Sequence, residues 1–340
     1  MASELNSLPP ELIAQILAEA DSQDLLRLRL VNRRFKKMAL PEFGSRYFAS
    51  RSTDLSRLSL DRLRAITACP HLSCYVHELH IAPAPPNYHP SFGLGFTWHR
   101  NPTTDSVEPQ PETHFDPYIL PILETCGITS VIVTKTEDID ILDMEDEMYH
   151  EHSCTGSEIL GMLFRLIGRG LLPRLRSFNI DFTQGQSVNT IRHERLGPIH
   201  QTLSAAFWQY WAGIRYLRLD VSITAESIDW LSELLANAPR LDVAIIEDVF
   251  GHSEALVRTL VQKPHACHSL RELTLSRTHI RVTPLLQFLV RSKDTLERLV
   301  LSKIELLEED PPNAKGKTRN YDQAWKTVFE TLQGETTLAE

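Results

Sequence analysis

The sequence predicts an α/β chain in which an all-α N-terminal module precedes a longer body of parallel strands and helices. Two observations support this. Apolar residues recur at helical spacing between residues 8 and 40. Beyond Pro41, short apolar strand patterns alternate with amphipathic helical segments. The expected boundary lies near residue 50, which gives a module of residues 1–50 and a body of residues 51–340.

The composition, 42% hydrophobic and 23% charged over 340 residues, is that of a folded protein. The formal net charge of −9 argues against nucleic acid as a partner, because affinity for phosphates depends on Lys and Arg that lie on one face. A protein partner or a small ligand is the expected class.

The sequence gives no sign of a membrane segment. No apolar run reaches the roughly 18 residues that a membrane-spanning helix needs, and the N-terminus lacks the basic-then-apolar layout of a signal peptide. We therefore expect no membrane partner and a cytoplasmic or nuclear location. The five cysteines are irregularly spaced, so reduced thiols are expected.

The N-terminal region reads as a helical hairpin. The first apolar stripe is Leu12, Ile13, Ile16, Leu17 and Ala20, and the second is Leu25, Leu28, Val31, Phe35 and Met38. Pro9 and Pro10 suit a helix start, Asp21 or Ser22 can cap the second helix, and Pro41 ends it. Some 40 residues cannot bury this much apolar surface alone, so we expect a partner or a neighbouring domain.

The same residues resemble a known family. The segments that carry the resemblance are Leu8-Pro9-Pro10-Glu11-Leu12-Ile13, Ile16-Leu17, Asp24-Leu25 and Leu28-Arg29-Leu30-Val31-Asn32-Arg33-Arg34-Phe35. This pattern is similar to the F-box, which reads Leu-Pro-x-Glu-hydrophobic, a second hydrophobic pair, and Arg-x-Val-polar-Arg-x-aromatic. It covers roughly a tenth of the chain. The alternative is an ordinary helical hairpin that caps the body.

The resemblance implies a non-enzymatic adaptor that docks on a small Skp-type adaptor and, through it, on a cullin. The apolar residues expected to face the Skp-type adaptor are Leu8, Pro9, Ile13, Ile16, Leu17, Leu28 and Val31. An amphipathic helical pair with surplus apolar positions is also a physically sensible docking element. Some of these side chains must hold the hairpin together, and the sequence does not divide the two roles.

The body carries a recurring Leu-x-x-Leu-x-Leu pattern, in which the fourth and sixth positions point to one face of a strand. Clear copies begin at residues 175, 214, 241, 270 and 296, and weaker ones at residues 76 and 128. The later steps fall in or near the leucine-rich repeat range of roughly 20 to 29 residues. Amphipathic segments lie between the copies, at residues 115–125, 157–167, 198–210, 226–236, 253–261 and 284–290.

These elements predict an irregular leucine-rich repeat solenoid, with parallel strands on its concave face and helices outside. Residues 321–332 form a candidate capping helix. Fungal F-box proteins are similar throughout, with degenerate leucine-rich repeats behind the F-box. The alternative is a doubly wound α/β domain, although the glycine-rich phosphate loops of such domains are missing.

Irregular insertions are expected near residues 83–112 and 137–155. The first is rich in proline and aromatic residues, and the second is acidic. A charged break at residues 308–317 separates the last strand from the capping helix.

No catalytic residue, metal ligand or cofactor is expected. The cluster Cys69, His71, Cys74, His77 and His80 is dense enough to suggest zinc. However, His77 and His80 have opposite parity on the predicted strand and would face opposite sides. Shorter groups of histidine and cysteine at residues 150–154 and 265–268 are interpreted as chance neighbours and not as metal sites. The nucleophile elbow, the Walker A loop and the metalloprotease helix are all missing.

The expected function is substrate recognition in a Skp/cullin/F-box ubiquitin ligase. Residues at the third and fifth repeat positions point away from the repeat core, and the candidates for binding a client protein are Tyr216, Arg218, Val243, Ile245, Glu272 and Arg298. A neighbouring loop or the C-terminal segment covering these residues is the alternative. For the whole chain the alternatives are a non-degradative scaffold or regulatory F-box protein and an unrecognised hydrolase-like enzyme.

Overall fold

The structure is a computed structural model, and it describes residues 7–82, 92–103, 107–108, 114–136, 154–184, 203–221, 223–247, 252–263, 265–307 and 325–330. In these ranges the chain is mixed α/β with a large parallel sheet, as the sequence predicts. None of the described helices is long and apolar enough to cross a membrane.

Four helices form the N-terminal module, which we define as residues 10–48. They are α1 (Pro10–Glu19), α2 (Ser22–Val31), α3 (Arg33–Met38) and α4 (Leu40–Phe48). The second apolar stripe, from Leu25 to Met38, was predicted to form one helix, but it is divided between two helices, α2 and α3. The break falls at Asn32, whose backbone is extended and whose side chain accepts a hydrogen bond from the Phe35 N–H. An asparagine that caps the next helix in this way ends the one before it.

The body alternates strands and helices. Its strands are β1 (Ser50–Thr53), β2 (Glu78–Ile81), β3 (Ser130–Thr136), β4 (Ser177–Gln184), β5 (Tyr216–Asp220), β6 (Val243–Glu247), β7 (Glu272–Ser276), β8 (His279–Arg281), β9 (Arg298–Ser302) and β10 (Glu305–Leu307). Its helices are α5 (Arg57–Thr67), α6 (Pro70–Ser73), α7 (Asp116–Thr125), α8 (Gly156–Gly168), α9 (Ala205–Trp211), α10 (Ile228–Ala236), α11 (Ser253–Gln262) and α12 (Val282–Ser292). Residues 325–330 are also helical.

Eight strands form one parallel sheet in the order β1-β2-β3-β4-β5-β6-β7-β9, and β8 pairs with β10 beside it. The order follows the chain without reversal. A doubly wound sheet reverses its strand order at a switch point, so the described strands exclude that alternative. Because strand crossovers are almost always right-handed, a sheet wound in one direction carries its helices on one face.

Burial follows this asymmetry. The buried face of the sheet has two rows of residues in register, and the central members of one row are Leu79, Val131, Phe178, Leu217, Ala244 and Leu273. Behind them, Phe164 packs between Phe178 and Trp230, with ring centroids 5.7 and 5.2 Å away. Trp211 donates its indole N–H to the Leu234 carbonyl at 2.8 Å, so the polar group of this fully buried ring is hydrogen-bonded.

Each of the seven predicted repeat copies contains a strand of the sheet. The sequence missed β1 because Ser50-Arg-Ser-Thr53 has no apolar alternation. It also missed β8 and β10, which are three residues each.

The described part of the proline-rich insertion belongs to the core. Phe92, Phe96 and Trp98 are 2%, 5% and 2% exposed. Arg100 holds the insertion to the start of α8 through two bonds to the Glu158 carboxylate, at 2.6 and 3.3 Å, and that carboxylate is fully buried. The predicted insertion near residues 137–155 and the break at residues 308–317 lie largely or wholly outside the described residues.

The N-terminal module packs directly against the body. Gly44 on α4 faces the ring of Tyr75, and Phe48 contacts the apolar cores of both parts. Arg51 on β1 donates a hydrogen bond to the Tyr47 carbonyl at 2.5 Å. The module is therefore held to the sheet by partly buried side-chain contacts and not only by the chain connection.

Replacing Gly44 with alanine should weaken this junction. The added Cβ would lie 2.3 Å from a ring carbon of Tyr75, and overpacking of this kind commonly costs about 1–3 kcal/mol. Urea unfolding would measure the loss. Gly127→Ala is the matched control, because the Cβ there meets only the far end of the Arg174 side chain at 3.3 Å. Equal stability of the two variants would contradict this view of the junction.

Candidate functional site

The N-terminal module has a small core of its own. Its buried members are Ile13, Leu17, Leu25, Phe35, Ala39 and Phe43. They come from all four helices, so each helix of the module is fixed by at least one buried side chain. A cluster of this size secures the backbone but leaves little room for further apolar residues.

Polar contacts from α3 and α4 fix the first two helices. Arg46 donates to the Ala18 carbonyl at 2.6 Å and to the Ala20 carbonyl at 2.5 Å, which satisfies orphan acceptors at the end of α1. Tyr47 donates to the Ser22 carbonyl, and Arg34 donates to the Leu8 carbonyl at 2.7 Å. The angle between α1 and α2 is thus set by side chains outside them.

The module exposes a set of large apolar side chains. The described residues contain seven exposed large hydrophobic side chains, and five of them lie between residues 12 and 31: Leu12 at 47%, Ile16 at 41%, Leu26 at 43%, Leu30 at 86% and Val31 at 49%. We call these five the exposed apolar set. Scattered exposed leucines are ordinary, but five within twenty residues mark an interaction surface.

Helix geometry explains which residues are exposed. Leu12 and Ile16 are four residues apart on α1 and share a face, as do Leu26 and Leu30 on α2. Each of these pairs is offset by one residue, about 100° of rotation, from the buried positions Ile13, Leu17 and Leu25. Both helices are therefore apolar over a wider arc than their core contact covers.

The structure separates the seven residues predicted for adaptor docking. Ile16 and Val31 belong to the exposed apolar set, and Pro9 is exposed. Leu8 and Leu28 are half-buried against the module core. Ile13 and Leu17 are 0% and 1% exposed, so in this structure they support the module and do not face outward. The sequence could not distinguish them from Leu12 and Ile16, because all four are apolar neighbours on one helix.

Leu12, Leu26 and Leu30 are surface residues that the sequence prediction omitted. The sequence did contain one relevant signal, an apolar stripe wider than one helix face. That stripe indicated more apolar residues than the core needs, but it did not indicate which of them would be exposed.

Arg29 is next to Leu30 on α2, and its guanidinium carbon lies 3.2 Å from the centre of the Phe43 ring. Burial lowers the pKa of this guanidinium, and the contact with Phe43 is a cation–π interaction.

The second candidate surface is the open face of the sheet, opposite the buried rows. Three rows of residues cross it in register. The first contains Tyr216, Val243, Glu272 and Arg298, the second contains Arg218, Ile245, Thr274 and Val300, and the third contains Asp220, Glu247, Ser276 and Ser302. All six predicted client-binding residues lie in the first two rows. Tyr216, Val243 and Ile245 are half-buried, and Arg298 is exposed.

An ion network closes one end of the open face. Arg218 donates to Asp220 at 3.3 Å and to Glu247 at 3.0 Å, and Arg277 donates to the same two carboxylates at 2.6 and 3.0 Å. Burial by itself lowers the pKa of Arg218, but the carboxylates of Glu247, Asp220 and Asp181 outweigh it and raise that pKa. Arg277 reaches the network from a left-handed backbone position, φ 57°.

This network changes the role of one predicted residue. Arg218 donates to two carboxylates, so removing it would take away one of the two arginines that bind Asp220, whose side chain is 4% exposed. Arg298, in contrast, has Glu272 as its one ion-pair partner among the described residues, at 3.1 Å, and its side chain is 68% exposed. An exposed pair of this kind contributes little to stability, which leaves Arg298 available to a ligand.

The described residues contain no group of three or more side chains that could hold a metal. His77 contacts the Tyr75 carbonyl at 2.7 Å, whereas His80 lies 2.9 Å from the Thr134 hydroxyl on the open face.

All five cysteines are free. Burial raises the pKa of Cys126 to about 11 and that of Cys267 to about 12, so neither thiol ionises readily into a nucleophile.

Comparison with known families decides the nature of the module. Residues 5–43 match the F-box-like family. The match spans the four-helix core and the whole exposed apolar set, so the N-terminal module is an F-box-like domain. F-box proteins are typically non-catalytic adaptors. No curated protein matches the chain.

The different roles of neighbouring residues on α1 are testable by stability. Ile13→Ala should destabilise the chain by about 2–5 kcal/mol, because it empties a fully buried site. Leu12→Ala removes a side chain that is 47% exposed and should change stability by no more than about 0.5 kcal/mol. Thermal unfolding would compare the two variants. Similar losses in both would mean that the core is assigned to the wrong face of α1.

Proposed function

We propose that this protein is the substrate-recognition subunit of a Skp/cullin/F-box ubiquitin ligase. In this proposal the N-terminal module binds a Skp-type adaptor, which links it to a cullin, and the body binds a protein client. The chain positions its client and performs no chemistry. It would act in the cytoplasm or the nucleus, where such ligases work.

One observation supports the proposed binding of the adaptor: the residues that match the F-box-like family include the whole exposed apolar set. A self-contained helical domain has no need for five exposed apolar side chains on two helices, because water penalises their exposure. Burying them in the groove of a partner helix pair removes this penalty. The buried residues Ile13 and Leu17 then hold α1 in the orientation that presents Leu12 and Ile16.

For the body, we propose a degenerate leucine-rich repeat solenoid. Sequential strand order supports this, as does a feature shared by the last two repeats. Arg277 after β7 and Lys303 after β9 both adopt left-handed backbone conformations, and each is followed by a short strand, β8 or β10, that pairs with the other. Repeats of one structural unit stacked on their neighbours account for these equivalences.

The open face is the proposed client surface. Val243 and Ile245 are half-buried apolar residues on the open face, beside Tyr216. A strand face exposed to water more often carries polar residues at such positions. Tyr and Arg dominate interface hot spots, so Tyr216 and Arg298 are the first candidates. Arg218 would act mainly by fixing the ion network at the end of the face.

A non-degradative scaffold would use the same two surfaces and differ only in the fate of the client. Affinity purification with and without proteasome inhibition separates the two, because a degraded client accumulates only in the inhibited sample. A hydrolase-like activity has weaker support. The groove lined by residues 123–128 and 170–174 contains Cys126, whose thiol stays protonated near neutral pH because its pKa is about 11.

Replacing Leu12 and Leu30 together with alanine should sharply reduce binding of a recombinant Skp-type adaptor. Truncating one desolvated apolar anchor commonly costs about 2 kcal/mol, or roughly thirtyfold in affinity. Isothermal titration calorimetry would measure the effect. Leu58→Ala is the matched control, because this leucine is 63% exposed but lies on α5 of the body. Unchanged affinity of the double variant would argue strongly against docking through this surface.

Client capture should depend on the open face. Tyr216→Ala combined with Ile245→Ala should reduce client recovery in affinity purification, while adaptor binding is retained. Gln287→Ala, an exposed position on α12, serves as the control. Loss of both functions would point to unfolding, and loss of neither would remove the open face from consideration.

A further inference from the structure

The second and third helices of the N-terminal module, α2 and α3, carry an unusual concentration of positive charge. Residues 27–37 contain six cationic side chains and no acidic one, in a chain of net charge −9. The six are Arg27, Arg29, Arg33, Arg34, Lys36 and Lys37. A solvated helix more often mixes both signs, because opposite charges three or four residues apart stabilise it.

Three of these cations interact within the chain. Arg27 pairs with Asp24 at 3.2 Å, Arg29 lies over the Phe43 ring, and Arg34 donates to the Leu8 carbonyl. The other three, Arg33, Lys36 and Lys37, are exposed, and the described residues offer them no hydrogen bond or ion pair. We call these three residues the basic face.

The backbone holds the basic face in a fixed orientation. Arg33, Lys36 and Lys37 are spaced so that they share one side of α3, and the opposite side buries Phe35 and Ala39, which are 1% and 0% exposed. The Asn32 cap sets the start of this helix. The cations therefore point outward because the other side of the helix is anchored in the module core.

The basic face adjoins the exposed apolar set. Leu30 and Val31 end α2, and only Asn32 separates them from Arg33, so the Cα atoms of Val31 and Arg33 are at most about 7 Å apart. An apolar centre with a charged rim is the usual anatomy of a protein–protein interface. The two surfaces therefore read as parts of one docking site.

We infer that the basic face pairs with carboxylate side chains of the docking partner, and that this partner presents an acidic surface next to its apolar groove. The inference rests on the proposed function, since it describes the adaptor's side of the same contact. A protein partner fits better than nucleic acid or lipid headgroups. The adjoining leucines need an apolar counterpart, and the net charge of −9 repels an extended polyanion.

The charges should act mainly on the rate of association. Exposed charges at the rim of an interface steer the encounter and are screened by salt, whereas central apolar contacts set the dissociation rate. The test measures both rate constants for the full chain and a recombinant Skp-type adaptor, at low and high ionic strength. The key variant is the triple reversal Arg33→Glu, Lys36→Glu and Lys37→Glu, with circular dichroism to confirm its fold.

The triple reversal should slow association about tenfold or more at low salt, and the difference should shrink at high salt. A second triple variant, Arg62→Glu, Arg240→Glu and Lys293→Glu, makes the same change in net charge at exposed positions of the body. It should leave the association rate within about twofold. The neutral variant Arg33→Gln, Lys36→Gln and Lys37→Gln should fall between the wild type and the reversal.

Three outcomes would overturn the inference. If the triple reversal associates normally while the Leu12 and Leu30 variant fails to bind, the basic face is not part of the docking site, and the proposed function stands. If both triple variants slow association equally, net charge and not this surface is responsible. If the wild-type chain binds a DNA duplex or vesicles containing phosphatidylserine but not the adaptor, the face serves another partner and the proposed function fails as well.

Discussion

The architecture depends on one constraint, which is that a parallel strand cannot follow its neighbour without a crossover. Each crossover here leads to the next strand in the same direction, from β1 to β9. Handedness then places the connecting helices on one face of the sheet. The buried rows, from Leu79 to Leu273, face those helices, and the other face has no helix layer among the described residues. The open face is thus a consequence of strand order and crossover handedness alone.

The N-terminal module meets a related constraint in a different way. Its four helices are too short and too few to bury all their apolar residues, so its core takes Ile13, Leu17 and Leu25 and leaves Leu12, Ile16 and Leu30 in water. The free energy that this exposure costs is recoverable only by association. The contact of Gly44 with Tyr75 and the shared position of Phe48 hold this surface at a set place beside β1. An adaptor bound to the module would therefore sit at a defined position relative to the open face.

Much of the fold could be predicted from the sequence, because leucines of one parity mark strands such as β5 and β7 unambiguously. Strand β1 could not be predicted, since it is polar and pairs only through its backbone with β2. Within the site, residue type cannot decide which of two adjacent apolar residues on α1 is buried, because that choice depends on where α3 and α4 pack. The ion network around Arg218 could not be predicted either, because Arg277 joins it from the loop after β7, two strands further along the sheet.

The central claim, that the N-terminal module docks an adaptor while the sheet stays free for a client, is open to a direct measurement. Hydrogen exchange of the full chain would be followed by mass spectrometry with and without a saturating Skp-type adaptor. We expect slower exchange in peptides that cover residues 10–38 and unchanged exchange in the strands from Tyr216 to Ser302. Protection of those strands, or no protection within the module, would contradict the account.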